Sequence, residues 1–293
     1  MSERKALDAQ AFSLMLLLTA LWGFQQVAIK LTAPDVSLVM QAALRTFIAT
    51  ALLLAWARWR GIALFARDGT LGAGLAAGLL FGLEFVFIYG GLGHTAASRM
   101  TVFIYLAPVL TALGLHWFVP GEKLARAQWI GVALAFAGIA LAFGEAFVAA
   151  RSSLLGDFCG LVAAVLWAAT TVLIRATSLS HAAAAKTLFY QLAVSAPLLL
   201  AASLLMGEQG VVALTPLALA SLAYQGVIVA FASYLAWFWL LTRYLAARLS
   251  VFSFMTPLFG VLAGVLILDE PLTPAFIGAA LLVGAGIVLV NRR

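Results

Sequence analysis

The chain has 293 residues, 65% of them hydrophobic and only 10% charged, with a mean hydropathy of +1.11. Water-soluble domains carry roughly 45–50% apolar and about 25% charged residues, which excludes a soluble domain and, by the same figures, intrinsic disorder. The net charge is +6, and the single cysteine, Cys159, cannot close an intrachain disulfide; no Cys/His spacing suggests a metal site, and no cofactor is expected.

A bilayer core about 30 Å thick needs about 20 apolar residues in helical form. Windows of that length predict ten spans, over residues 11–31, 36–57, 70–92, 95–118, 127–144, 154–176, 184–206, 215–242, 245–268 and 274–291. Connections between them are short, so the expected fold is an all-α integral membrane protein with ten transmembrane helices. Hydrocarbon offers no partner to a free backbone N–H or C=O, so lipid-facing spans must be helical. The first span follows Arg4 and Lys5 in the manner of a signal peptide. It lacks a small-residue cleavage site and carries Trp22, Gln25 and Gln26, so it reads as a retained helix. Arg45 falls inside the second span and Glu84 near the middle of the third, in LLFGLEFVFIY. Gly74, Gly78 and Gly82 form a GxxxGxxxG row in the third, and Gly260 and Gly264 a shorter one in the ninth; such rows let helices approach closely.

Loop charges set a direction. With the N-terminus in the cytoplasm, the inside positions hold Arg4, Lys5, Arg58, Arg60, Arg67, Lys123, Arg126, Arg175, Lys186, Arg243, Arg248, Arg292 and Arg293. Only Lys30, Arg99 and Arg151 fall outside. This bias predicts a multi-pass protein of the inner (cell) membrane with both termini cytoplasmic. It also accounts for the basic balance without nucleic acid, for which no basic stripe or recognised module exists. Trp56 and Trp59, beside Arg58 and Arg60, read as an interfacial anchor.

The two halves resemble each other. RMTVFIYLAP at 99–108 matches RLSVFSFMTP at 248–257, and LWGFQQVAIK at 21–30 matches LWAATTVLIR at 166–175. Glu122 and Glu270 follow the first pair, and the Gly-rich segments WIGVALAFAGIAL and FIGAALLVGAGIVL close each half. Expected units are therefore a five-helix repeat over 1–147 and a second over 148–293. An odd number of spans per unit inserts the second upside down relative to the first. Such inverted repeats place a binding site near the midplane between the halves, and rocking about it opens the site to either face.

In order and in duplication these motifs resemble the EamA family of the drug/metabolite transporter superfamily. The resemblance rests on LWG…VAIK, Leu44-Arg45, Pro108, Glu122 and Ile130-Gly131, echoed by Pro257, Glu270-Pro271-Leu272 and IGAAL from Ile277. It covers about residues 15 to 290, and within the family the chain is similar to amino-acid exporters of the YddG type. The resemblance implies a ten-helix transporter of small metabolites with a central cavity lined from both halves, and Arg45 matches the family's usual second-helix residue.

Polar groups inside the bilayer are costly and usually face the bundle interior. Glu84 reads either as a partner for a substrate ammonium or proton, or as a hydrogen-bonded structural carboxyl. Arg45 would hold a substrate carboxylate, pair with Glu84 or serve the architecture. Trp22, Gln25 and Gln26 in the first span, and Trp167 with Thr170 and Thr171 in its repeat, are candidates to line the cavity, indoles as walls and amides or hydroxyls as donors. Pro108 and Pro257 each remove a backbone donor, as a hinge or a static kink. Tyr105 and, in the repeat, Ser253 and Phe254 stand just before them as further cavity candidates. Glu122, Asp269 and Glu270 read as caps at span ends, and His94 as a loop histidine.

No GxxxxGK[ST], GxSxG or HExxH occurs, so neither ATP hydrolysis by a P-loop nor an enzyme of those classes is expected. The expected activity is secondary transport, with export of amino acids, aromatic and other neutral ones. Alternatives are a nucleotide-sugar, phosphate-ester or drug transporter, and beyond transport a channel; phosphate needs several cations, and only one arginine lies deep. The expected partners are a small-molecule substrate and the lipid bilayer, with no ATPase subunit; monomer and dimer both stay open.

Overall fold

The computed structural model describes residues 7–92, 94, 103–149, 154–268 and 274–291, with side chains described at all of these except 26, 30, 92, 142–149, 261, 264, 265, 267, 268, 274–276, 280 and 291. Gln26 and Lys30 as side chains, and Arg99, Arg151, Asp269 and Glu270 altogether, therefore lie outside the described residues.

The described chain is helical, with no strand among its residues beyond an isolated bridge between Val36 and Val211. The helices are α1 (Ala9–Thr32), α2 (Leu38–Trp59), α3 (Leu71–Leu92), α4 (Ala107–Phe118), α5 (Arg126–Ala149), α6 (Leu154–Ala176), α7 (Ala184–Leu205), α8 (Pro216–Arg243), α9 (Ala246–Phe252), α10 (Met255–Leu268) and α11 (Pro274–Asn291). Six of them, α1, α2, α3, α6, α7 and α8, carry stretches long and apolar enough to cross a membrane, and α4, α5 and α11 hold shorter apolar stretches. The span expected over 245–268 is two helices, α9 and α10, parted at Ser253 and Phe254.

That break has a physical cause. Pro257 cannot donate a fourth-neighbour bond to Ser253, and the chain responds with tight three-residue bonds, Ser253 N–H to Ser250 O at 3.0 Å and Thr256 N–H to Ser253 O at 3.0 Å. Pro108 sits likewise in the first turn of α4, after a turn in which Leu106 N–H reaches Phe103 O at 3.1 Å. Neither proline kinks a continuous helix; each opens a new one.

α8 changes winding along its length. Residues Tyr224–Ser233 form a π-helical stretch, closed where Tyr234 N–H bonds Val229 O, five residues back. Widened turns of this kind rotate the following side chains relative to the preceding ones.

Helix ends repeat between halves. After α2, Gly61 at φ 66° lets Ile62 N–H reach Ala57 O at 2.8 Å; after α7, Gly207 at φ 69° lets Glu208 N–H reach Ser203 O at 3.2 Å. Both are left-handed caps that satisfy the last carbonyls, and only glycine adopts them without strain.

Packing is largely between halves. α1 lies on α10 as α4 lies on α6, α2 on α8 as α3 on α7, while α2 meets α7 and α5 meets α11. Glycines make these approaches possible. A Cβ on Gly78 would stand 2.5 Å from Tyr190 O of α7, one on Gly131 2.7 Å from Gly286 O of α11, and one on Gly23 2.7 Å from Thr256 O of α10. The Gly74–Gly78–Gly82 row thus serves close packing of α3 on α7.

Polar ties close the bundle at both ends. At one end, Glu208 accepts from Val39 N–H and Met40 N–H, both at 3.0 Å, capping α2 from the other half. Thr32, Gln41, Ser221 and Gln225 form a buried network between α1, α2 and α8. At the other end, Arg175 in the last turn of α6 pairs with Glu122, and its Nη1 donates to Leu241 O at 2.9 Å. Glu122 also accepts from Ala246 N–H at 3.1 Å and Ala247 N–H at 3.3 Å at the start of α9. Arg175 and Lys186, expected as loop charges, are instead both buried within ion pairs.

The Lys186 pair yields a pH prediction. Its Nζ donates to Asp68 Oδ2 at 2.7 Å, and this bond, aided by the Thr70 hydroxyl, holds the Asp68 carboxylate down at about 2 from its ordinary 3.8. A depressed carboxylate stabilises the fold above the unfolded value and loses that contribution as pH falls through the folded one. The melting-temperature difference between wild type and Asp68→Asn will therefore be constant above about pH 5 and shrink progressively toward about pH 2. A difference that narrows only above pH 5 would mean another group controls it.

Candidate functional site

A cavity of about 150 Å³ lies where α1, α3, α6, α7, α8 and α10 converge, near the break ahead of α4. Its walls come from residues at helical spacing. α3 contributes Phe81, Glu84, Phe85 and Ile88; α6 contributes Trp167, Thr170, Thr171 and Ile174. Both sets follow i, i+3, i+4, i+7, one face of a helix. Beyond the π-helical stretch, α8 adds Tyr234, Trp237 and Phe238, again at i, i+3 and i+4. Trp22 and Gln25 come from α1, Gln191 from α7, Thr256 from α10, and Tyr105 from the turn before α4.

Half of this lining is aromatic, and the rings hold one another edge to face. Trp22 stands 5.8 Å from Trp237 and 6.3 Å from Tyr234, and Tyr105 stands 6.0 Å from Trp167. Such contacts lock ring orientation. The indole N–H of Trp22 donates to Ser233 Oγ at 2.9 Å, and Ser233 in turn donates to Val229 O inside the π-helical stretch. A bond across 211 residues thus joins the first repeat to the second at the cavity wall.

Glu84 is 7% exposed and makes neither a hydrogen bond nor an ion pair within 4 Å among the described residues. It is the one carboxyl group of the described lining, which includes no Lys, Arg or His. Arg45, 1% exposed, is not itself a residue of the described lining. Its guanidinium lies over the Phe85 ring at 4.5 Å, among Glu84, Tyr89 and Tyr234, with Nε and Nη1 lacking hydrogen-bond partners. A stacked, desolvated guanidinium of this kind supports the wall electrostatically from behind.

Of the residues singled out in the sequence, the structure brings Trp22, Gln25, Glu84, Tyr105, Trp167, Thr170 and Thr171 to one cavity. Thr171 faces it with its hydroxyl bonded to Trp167 O at 3.3 Å. Ser253 and Phe254 lie apart from the lining, 1% and 0% exposed, with the Ser253 hydroxyl unpartnered. Pro108 and Pro257 are buried beside the two breaks, and Gln26 has no described side chain. Sequence reasoning missed Phe81, Phe85, Gln191, Tyr234, Trp237, Phe238 and Thr256. The stripe around Glu84 carried a usable signal, because Phe81, three before the acid, and Phe85, four after Phe81, fall on the same i, i+3, i+4 helix face.

Comparisons with known proteins agree with this architecture. The EamA-like transporter family model matches residues 10–144 and again 154–292. The chain is 26% identical over 92% of its length to a Bacillus subtilis protein named Uncharacterized transporter YoaV, 93% of which it covers. It is 26% identical over 94% of its length to a Salmonella typhimurium protein named Probable amino-acid metabolite efflux pump, again covering 93%. A solved crystal structure shares the fold with a TM-score of 0.80 at 22% identity, covering 96% of this chain and 98% of that one. With one match in each half and almost the whole length accounted for, this multi-pass membrane protein belongs to the EamA-like transporter family.

Proposed function

We propose that this protein is a secondary transporter that exports small amine-bearing metabolites, namely aromatic and other neutral amino acids and their close derivatives. It works by alternating access, with ten membrane-spanning segments arranged as two inverted five-helix repeats, 1–147 and 148–293, and both termini in the cytoplasm. The observation that carries the reading is the cavity between the halves, walled by aromatic rings around Glu84, the one carboxyl group of the described lining. A few polar groups converging in an apolar pocket describe a site for a small molecule. Relatives named as amino-acid metabolite efflux pumps support the substrate class. A nucleotide sugar or phosphate ester would bring phosphate into a lining without a cation, which argues against that alternative.

The test is uptake of labelled amino acids and their amines into inverted proteoliposomes of the purified protein, with and without a proton gradient. Trp167→Ala and Tyr105→Ala will each reduce transport at least roughly tenfold at unchanged expression, since loss of one aromatic anchor from a desolvated site removes ~2 kcal/mol or more of binding. Nucleotide-sugar exchange without movement of any amine would overturn the substrate class. Wild-type rates in both variants would remove the two rings from the site.

A further inference from the structure

We propose that the cavity selects a monocation, an organic amine whose carboxyl group is absent or blocked, over the zwitterion of a free amino acid. This rests on the transport reading of the same cavity and sharpens it.

Charge is the first argument. Glu84 is the single carboxyl group of the described lining, and it is not spent on any described hydrogen bond or ion pair. A buried carboxylate without a hydrogen bond or close ion pair is costly, and a ligand ammonium that reaches it removes much of that cost. A zwitterion brings its own carboxylate into the same enclosure, where it meets Glu84 as a like charge.

The second argument is what could hold such a carboxylate. Arg45 is the deep cation nearest in purpose, yet it is not part of the described lining; its Cζ stands 4.5 Å from the centroid of the Phe85 ring, stacked on a wall residue. Several donors on the wall are already committed. Trp22 N–H goes to Ser233, the Thr170 hydroxyl to Leu166 O at 2.8 Å and the Thr171 hydroxyl to Trp167 O. The Gln191 amide donates to Thr187 O at 3.3 Å. The wall's remaining donors, among them Gln25 and Thr256, are neutral. Half the wall is aromatic, with faces whose negative potential attracts cations and repels anions.

The experiment titrates purified full-length protein in nanodiscs by calorimetry with matched pairs, each an amine and the amino acid that carries the same side chain. The pairs are tryptamine with tryptophan, tyramine with tyrosine, and isobutylamine with valine. The amine of at least one pair will bind at least roughly tenfold tighter than its amino acid, the size of one charge-assisted contact without an opposing like charge. Glu84→Gln will erase that preference. Amino acids binding as tightly as their amines, or a preference that survives Glu84→Gln, would overturn the monocation proposal while leaving transport of amino acids standing. If neither member of any pair binds, and none moves in proteoliposomes, the proposal and the transport reading of this cavity fall together.

Discussion

Replacing Glu122 by alanine will lower the stability of the detergent-purified protein by about 3–5 kcal/mol, the usual effect of removing one member of a buried ion pair. The side chains of Glu122 and Arg175 are each 2% exposed. Without the carboxylate, Arg175 keeps one bond, to Leu241 O, and its charge stays buried. The amides of Ala246 and Ala247 lose their acceptor at the same time. Arg175→Ala will do less damage, because Glu122 still receives those two amides at the start of α9. The double variant will be less destabilised than the sum of the two singles by at least ~1 kcal/mol, since residues in direct contact couple. Melting curves of the four proteins in one detergent decide the point. Strict additivity would mean that the pair contributes nothing as a pair, and that Glu122 acts only on α9.

The second large effect lies in the packing of α3 on α7. Gly78→Val will lower the melting temperature by an amount equivalent to ~1–3 kcal/mol and abolish transport. The added carbon would stand 2.5 Å from a backbone oxygen, Tyr190 O, and backbone cannot rotate away as a side chain can. α3 and α7 would have to separate, and both line the cavity, through Glu84 and Gln191. Gly72→Ala is the control on the same helix: its Cβ meets nothing within 4 Å, so it will match or slightly exceed wild-type stability by relieving glycine's helical penalty. If Gly78→Val melts with wild type, the close helix approach is not what holds this wall.

Much of the molecule is legible along the chain because membrane insertion obeys local rules. Hydropathy over a window needs no knowledge of the fold, and neither does the recurrence of RMTVFIYLAP as RLSVFSFMTP. Residues at i, i+3 and i+4 share a helix face wherever the helix goes, which is why Trp167, Thr171 and Glu84 stand out on sequence grounds alone. Their flanking rings, Phe81 and Phe85, are readable by the same rule, although each taken singly looks like an ordinary apolar residue of a span. The two prolines mark helix boundaries correctly in position, although each starts a helix where a kink is one expectation.

Other features depend on which faces meet, and nothing local encodes that. Glu122 and Arg175 are 53 residues apart, and each alone looks like an ordinary charge at a span end. The π-helical turns of α8 follow from an apolar segment with no proline, and they carry Ser233 to Trp22 and lead into Tyr234 and Trp237 on the cavity wall. Arg45, a natural partner for a substrate carboxylate by type and depth, ends stacked on the Phe85 ring of α3 and outside the described lining. The sequence by itself determined a membrane-embedded, duplicated, helical chain, since lipid rewards apolar length and helical hydrogen bonding residue by residue. Only the tertiary structure decided the charge of the cavity, because the sign a ligand meets depends on which of two buried ionisable groups the helix crossings leave facing inward.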